Sequence, residues 1–181
     1  MKIVFAGPMG AGKTTAIRAI SDMPPVSTEA RNLDQSSCAK ETTTVAMDFG
    51  QVALEDGTIV RLYGTPGQTR FSFMWEILSK GSLGVILLID GSRPTAMADL
   101  TKYANLFRRM NPRQVLVIGV GRLPVDAESV IEHYARALGT QEVVAPIFAI
   151  DARNREDVLM LVETLLSLLE AAHGGSSDKA A

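Results

Sequence analysis

Cys38 is the only cysteine, so no internal disulfide can form, and the simplest setting for the chain is a reducing cytoplasm. An excess of one charge is also lacking. Eighteen Lys and Arg stand against 20 Asp and Glu, for a formal net charge of −2, which argues against a general nucleic-acid-binding surface. Long apolar runs are missing too. None is longer than Val85–Ile89, which falls far short of the ~20 residues that span a bilayer and predicts no integral membrane segment. No leader-like segment precedes the strand-like start at Lys2. Position 2 is not the glycine that myristoylation needs, and Asp178-Lys179-Ala180-Ala181 is not a prenylation box, so no lipid anchor is expected. Internal repeats are absent as well.

What is present is the composition of a folded domain. The chain is 46% hydrophobic and 21% charged, and its 181 residues suit one domain with a full core. Lys2–Ala6, Leu83–Asp90, Val115–Val120 and Val143–Ile150 are short, β-branched and poor in polar alternation. Such runs fit strands of a parallel sheet covered on both faces. Helix-period segments lie between them. Ala127, Val130, Ile131, Tyr134 and Leu138 share one face, with Asp126 placed as N-cap and Gly139 just past the end. Met97, Leu100, Ala104 and Phe107 repeat the pattern, as do Val158, Leu161, Val162, Leu165 and Leu169 after the cap-like Asn154-Arg155-Glu156-Asp157. Thr44–Leu54 and Thr58–Tyr63 flank Glu55-Asp56-Gly57 and read as a hairpin. The expected fold is therefore α/β in three layers. Its mixed sheet has six strands, one of them an antiparallel edge strand, with helices on both faces. A domain over 1–172 and a disordered tail over 173–181 are expected.

Gly7-Pro8-Met9-Gly10-Ala11-Gly12-Lys13-Thr14 matches G-x-x-x-x-G-K-[ST] between a strand and a helix expected at Thr14–Ile20. The glycines let backbone N–H groups converge on phosphate oxygens, and the helix N-terminus adds its positive dipole end. Lys13 is expected on the β- and γ-phosphates and the Thr14 hydroxyl on Mg²⁺. Nucleotide contacts are expected along Gly7, Met9, Gly10, Ala11, Gly12, Lys13, Thr14 and Thr15.

Thr42-Thr43-Thr44-Val45 just ahead of the hairpin and Thr65-Pro66-Gly67-Gln68 just after it follow this loop in the order found in Ras-like small GTPases. The chain resembles that family, and its TTTVAMDFG and GTPGQ segments, with Arg70-Phe71 and Met74-Trp75, are similar to the bacterial conservon-type and MglA-type branches. The resemblance implies a Ras-like G domain that binds GTP or GDP with Mg²⁺. Thr44 would be the switch I threonine on the metal, Gly67 the switch II glycine on the γ-phosphate, and Gln68 the residue that orients water. It also implies a roadblock-domain protein as partner. Phe71, Phe73 and Trp75 read equally as a partner surface or as packing under the switch II helix.

Three positions depart from the family. Gly64 stands where switch II usually opens with the Asp that holds Mg²⁺ through water, and Asp90 is a weaker distal candidate for that role. Met9 stands where Ras proteins carry glycine. Val120-Gly121-Arg122-Leu123 replaces the guanine-reading Asn-Lys-x-Asp, although Asp151-Ala152-Arg153 resembles the loop whose amide meets guanine O6. Arg122 and Ala152 are accordingly expected at the base. These departures leave three readings open. One is a slow GTPase switch, another a pseudo-GTPase scaffold, and the third an ATPase with relaxed base choice.

Overall fold

The computed structural model describes residues 1–24, 26–27, 47–54, 56–68, 71–123, 127–139 and 143–174. The chain order is β1 (Lys2–Ala6), α1 (Lys13–Ile20), β2 (Val26–Ser27), β3 (Asp48–Ala53), β4 (Ile59–Gly64) and α2 (Ser72–Ser79). It continues with β5 (Gly84–Asp90), α3 (Ala96–Met110), β6 (Val115–Gly121), α4 (Ala127–Gly139), β7 (Ile147–Ala149) and α5 (Arg155–Gly174). The sheet order is β2-β3-β4-β1-β5-β6-β7. β4, β1, β5, β6 and β7 run parallel, and β3 runs antiparallel to β4. The six expected strands are all present, and the two-residue β2 adds a further antiparallel pairing outside β3.

The short strands are buried on both faces because side chains alternate across the sheet. In β1, Ile3 and Phe5 join a core with α1 and α5, while Val4 and Ala6 join a second core with α2, α3 and α4. β5 divides in the same way, with Ile86 and Leu88 on the first side and Val85, Leu87 and Ile89 on the second. The expected strand over Val143–Ile150 shrinks to three residues. Pro146 has no N–H for the ladder, so regular pairing starts only after it.

The hairpin turns at Gly57, whose φ of 79° is in the left-handed region, and Asp56 Oδ1 accepts from Thr58 N–H at 2.8 Å. At the start of α5, Asn154 Oδ1 accepts from Glu156 N–H at 3.0 Å, the capping expected from sequence. Thr42–Ala46, Arg70, Asp126 and the tail beyond Gly174 lie outside the described residues, and with them the expected roles of Thr44 and Asp126.

Candidate nucleotide-binding site

The carboxyl ends of β1, β4, β5 and β6 meet at one edge of the sheet, where α/β proteins collect ligands. The loop from Gly7 to Gly12 crosses this edge. It takes φ values of 135° at Gly7, 84° at Gly10 and 95° at Gly12, which only glycine adopts readily. A Cβ on Gly7 would stand 2.1 Å from the Leu88 carbonyl oxygen, so close approach to β5 also demands glycine there. Gly12 caps α1 without a side chain, which leaves the first helical N–H groups facing the loop.

Lys13 is 7% exposed, and its Nζ donates to the Gly7 and Pro8 carbonyls at 2.9 and 2.8 Å. Burial lowers its pKa to about 8, opposed by the negative charge of Asp48. The Thr14 hydroxyl donates to Asp48 Oδ2 at 2.6 Å. Asp48 is a candidate site residue that sequence reasoning missed. It pairs in register with Gly64. A Cβ on Gly64 would stand 3.0 Å from Asp48 Cβ and 3.0 Å from its Oδ2. The Asp48 side chain thus fills the space that a larger residue at 64 would need. A hydroxyl beside a carboxylate is an oxygen-only donor set, which suits Mg²⁺.

Asp90 is not available as the distal metal partner considered from sequence. It forms an ion pair with Arg122 and accepts from Ser92 Oγ at 2.6 Å. Burial pushes its carboxyl up, but hydrogen bonds from Ser92 and Arg122 outweigh this and hold it below the usual range. Arg122 itself has a φ of 55°, uncommon for a side-chain-bearing residue, and also donates to Gly10 O at 3.1 Å. Its guanidinium ties the base side of the site to the phosphate loop.

The segment Thr65–Gln68 rests directly on that loop. A Cβ on Gly67 would stand 2.5 Å from Met9 N and 2.6 Å from Met9 Cα. Trp75 Nε1 donates to Pro66 O at 2.7 Å, and Tyr103 Oη donates to Gly67 O at 3.3 Å. Gln68 Nε2 lies 3.9 Å from Met9 Sδ, a weak sulfur contact, while Met9 is 66% exposed. Of the three aromatics in question, Trp75 is core at 1% exposure and Phe73 is 54% exposed. Phe71 packs edge-on against Phe73.

Beside the loop opens a cavity of about 550 Å³, lined by Ala11, Gly12, Thr15, Arg122, Leu123 and Ala152 among others. This volume accommodates a nucleoside. Its carboxylates are all engaged. Besides Asp90, Asp151 is gripped by Arg153 at 2.6 Å, a hydrogen bond that holds its pKa at about 2. Asp157 accepts from Asp151 N–H at 2.7 Å and from Asn154 Nδ2 at 3.1 Å. A smaller hollow of about 220 Å³ near Phe107 and Gln114 lies at the other end of β6, away from the phosphate loop. Among the described residues no helix is long and apolar enough to cross a membrane.

Comparison with known proteins adds the following. A family model described as conserved hypothetical ATP binding protein matches residues 26–118, a stretch that begins after the Gly7–Thr14 loop. An uncharacterized protein of Methanocaldococcus jannaschii is 30% identical over 99 residues, covering 55% of this chain and 56% of that protein. Intraflagellar transport protein 22 of Chlamydomonas reinhardtii is 25% identical over 123 residues, covering 66% and 61% respectively. Ras-related protein RABA2a of Arabidopsis thaliana is 21% identical over 123 residues, covering 66% and 51%. The match thus spans between half and about three-fifths of these relatives' own lengths.

Proposed function

The chain belongs to the family described as conserved hypothetical ATP binding protein, and from that premise we propose that it is a Ras-like nucleoside triphosphate switch. It would bind GTP or GDP with Mg²⁺, hydrolyse the triphosphate slowly, and discriminate weakly between guanine and adenine. The observation that carries this reading is the loop Gly7–Thr14. Its glycines, buried Lys13 and helix N-terminus supply the donors and charge a polyphosphate needs. Thr14 and Asp48 would hold Mg²⁺, with Thr44 added from switch I. The ion would offset negative charge on the β- and γ-phosphates. Gly67 would donate its amide to the γ-phosphate, and Gln68 would orient the attacking water.

The low base discrimination follows from the cavity. Leu123 offers hydrocarbon where the family has its reading Asp, and Asp90, Asp151 and Asp157 already hold partners. Loss of a bidentate acceptor weakens base choice by ~1–3 kcal/mol. The backbone at Ala152 can favour a carbonyl at the base edge but offers the guanine N–H groups no carboxylate. A roadblock-domain protein in the cytoplasm is the partner that the family resemblance points to, reading Thr42–Phe49 and Thr65–Trp75 in the triphosphate form. Competition binding with GTP, ATP and ITP tests the proposal. GTP and ATP should compete within about tenfold of one another, and ITP should match GTP. A GTP preference of several orders of magnitude would overturn the weak-discrimination part, and no binding of any of the three would overturn the whole.

A further inference from the structure

We propose that Arg93 is an arginine supplied in cis to the triphosphate, a further catalytic residue at the γ-phosphate end of the loop. The inference rests on the phosphate-site reading above. Arg93 lies in the turn between β5 and α3. Its N–H donates to Asp90 O at 3.2 Å and its carbonyl accepts from Ala96 N–H at 3.0 Å, so both ends of the residue are fixed. The side chain reaches back across the sheet edge, and Nη1 donates to the Met9 carbonyl at 3.1 Å. Met9 is the loop residue that Gly67 packs against and that Gln68 touches through sulfur. The guanidinium, the switch II glycine and the water-positioning glutamine therefore converge on one residue. Tyr103, whose hydroxyl holds Gly67 O, also lies within the field of Arg93. Burial and then Asp99 push that phenol up to about 12, and the positive charge of Arg93 acts the other way.

Among the described residues, other arginines at or near the site are tied to acidic side chains. Arg122, Arg153 and Arg155 each hold a carboxylate. Arg93 has no carboxylate partner among the described residues, and its single acceptor is a neutral carbonyl. A guanidinium carries five N–H donors, so most remain for phosphate oxygens, and leaving one neutral acceptor costs little. In hydrolysis the water oxygen bonds to the γ-phosphorus as the bond to the bridging oxygen breaks. That electron pair stays on the diphosphate, and the water proton leaves with inorganic phosphate. Negative charge thus builds on the bridging and γ-oxygens, where Arg93 would meet it.

The test uses the full chain, as wild type, Arg93→Ala and Arg93→Lys. It measures GDP and ADP binding with Mg²⁺, trapping of the bound diphosphate by aluminium fluoride, and single-turnover hydrolysis. Aluminium fluoride mimics the transferring phosphoryl group, so a residue with a merely structural role leaves trapping unchanged. Arg93→Ala should bind diphosphate like wild type, lose aluminium fluoride trapping and hydrolyse at least ~100-fold more slowly. Arg93→Lys, which keeps the charge but not the fork, should fall between. Equal trapping and equal rates in wild type and Arg93→Ala overturn the inference and leave nucleotide binding standing. A wild type that binds diphosphate but neither traps nor hydrolyses also overturns it. A wild type that binds neither GDP nor ADP removes the nucleotide reading, and this inference with it.

Discussion

Nucleotide affinity should fall steeply as pH rises through about 8, because Lys13 must be protonated to hold phosphate. In the unliganded chain its ammonium is buried against two carbonyls, and desolvation brings its pKa to about 8 despite the opposing charge of Asp48. A bound polyphosphate places several negative charges at that ammonium and raises the pKa well above this value. The complex then holds more protons than the free protein wherever free Lys13 is partly neutral. By linkage the dissociation constant rises with pH above about 8, approaching tenfold per pH unit, which is ~1.4 kcal/mol. With a pKa of about 8 in the free chain, binding at pH 9.5 should be about 30-fold weaker than at pH 7. Isothermal titration at pH 9 in two buffers of different ionisation enthalpy should report an uptake of about 0.9 proton per nucleotide. Lys13→Arg keeps its charge throughout, so its affinity, whatever its level, should be flat with pH. A wild-type affinity constant from pH 7 to 9.5, with no proton uptake, would mean that Lys13 gains no proton on nucleotide binding. The stability of the unliganded fold runs the other way. The unfolded chain keeps the Lys13 proton longer, so this group makes the fold more stable as pH climbs from about 8 towards 10.5.

Gln68→Leu should bind nucleotide as wild type does but slow single-turnover hydrolysis, and equal rates would favour the scaffold reading. Wild-type rates should themselves be low, on the order of 10⁻² s⁻¹ with Arg93 in cis and falling to the order of 10⁻⁴ s⁻¹ in Arg93→Ala. Asp48→Asn removes the charge beside Thr14, so nucleotide retention in a dissociation assay should lose most of its Mg²⁺ dependence; an unchanged Mg²⁺ titration would remove Asp48 from the metal site. Trp75→Phe deletes the donor to Pro66 O in the core and should cost about 1–3 kcal/mol in urea unfolding. A loss within ~0.5 kcal/mol would mean that this bond does not hold switch II.

The elements were legible where the sequence is strongly periodic or carries a glycine at a forced conformation. Lys2–Ala6 is β1, and the helix-period segments before 111 and after 154 are α3 and α5. The strand ending at Ile150 was read too long because apolar content outweighed the missing N–H of Pro146. The site was legible along the phosphate loop, where each residue type answers to a local backbone demand. Asp48 was not, because its importance comes from a partner across a hairpin. Counting outward from the Asp56-Gly57 turn pairs 53 with 59 and therefore 48 with 64, so the carboxylate opposite Gly64 was findable. Arg93 is further from reach, since no local pattern brings it from the β5–α3 turn to a carbonyl 84 positions earlier. The pairing of Asp90 with Arg122 is likewise tertiary, formed between the ends of neighbouring strands.

The Gly7–Thr14 loop should hold a nucleotide polyphosphate through Lys13. Equilibrium titration of wild type and Lys13→Ala with fluorescent GDP and ADP, at pH 7 with Mg²⁺, tests it most directly. Lys13 lies 7% exposed within the loop, and its loss removes a buried full positive charge from the site. The predicted result is saturable binding by the wild type and none measurable by a Lys13→Ala variant that melts like the wild type. Undiminished affinity in that variant would contradict the account.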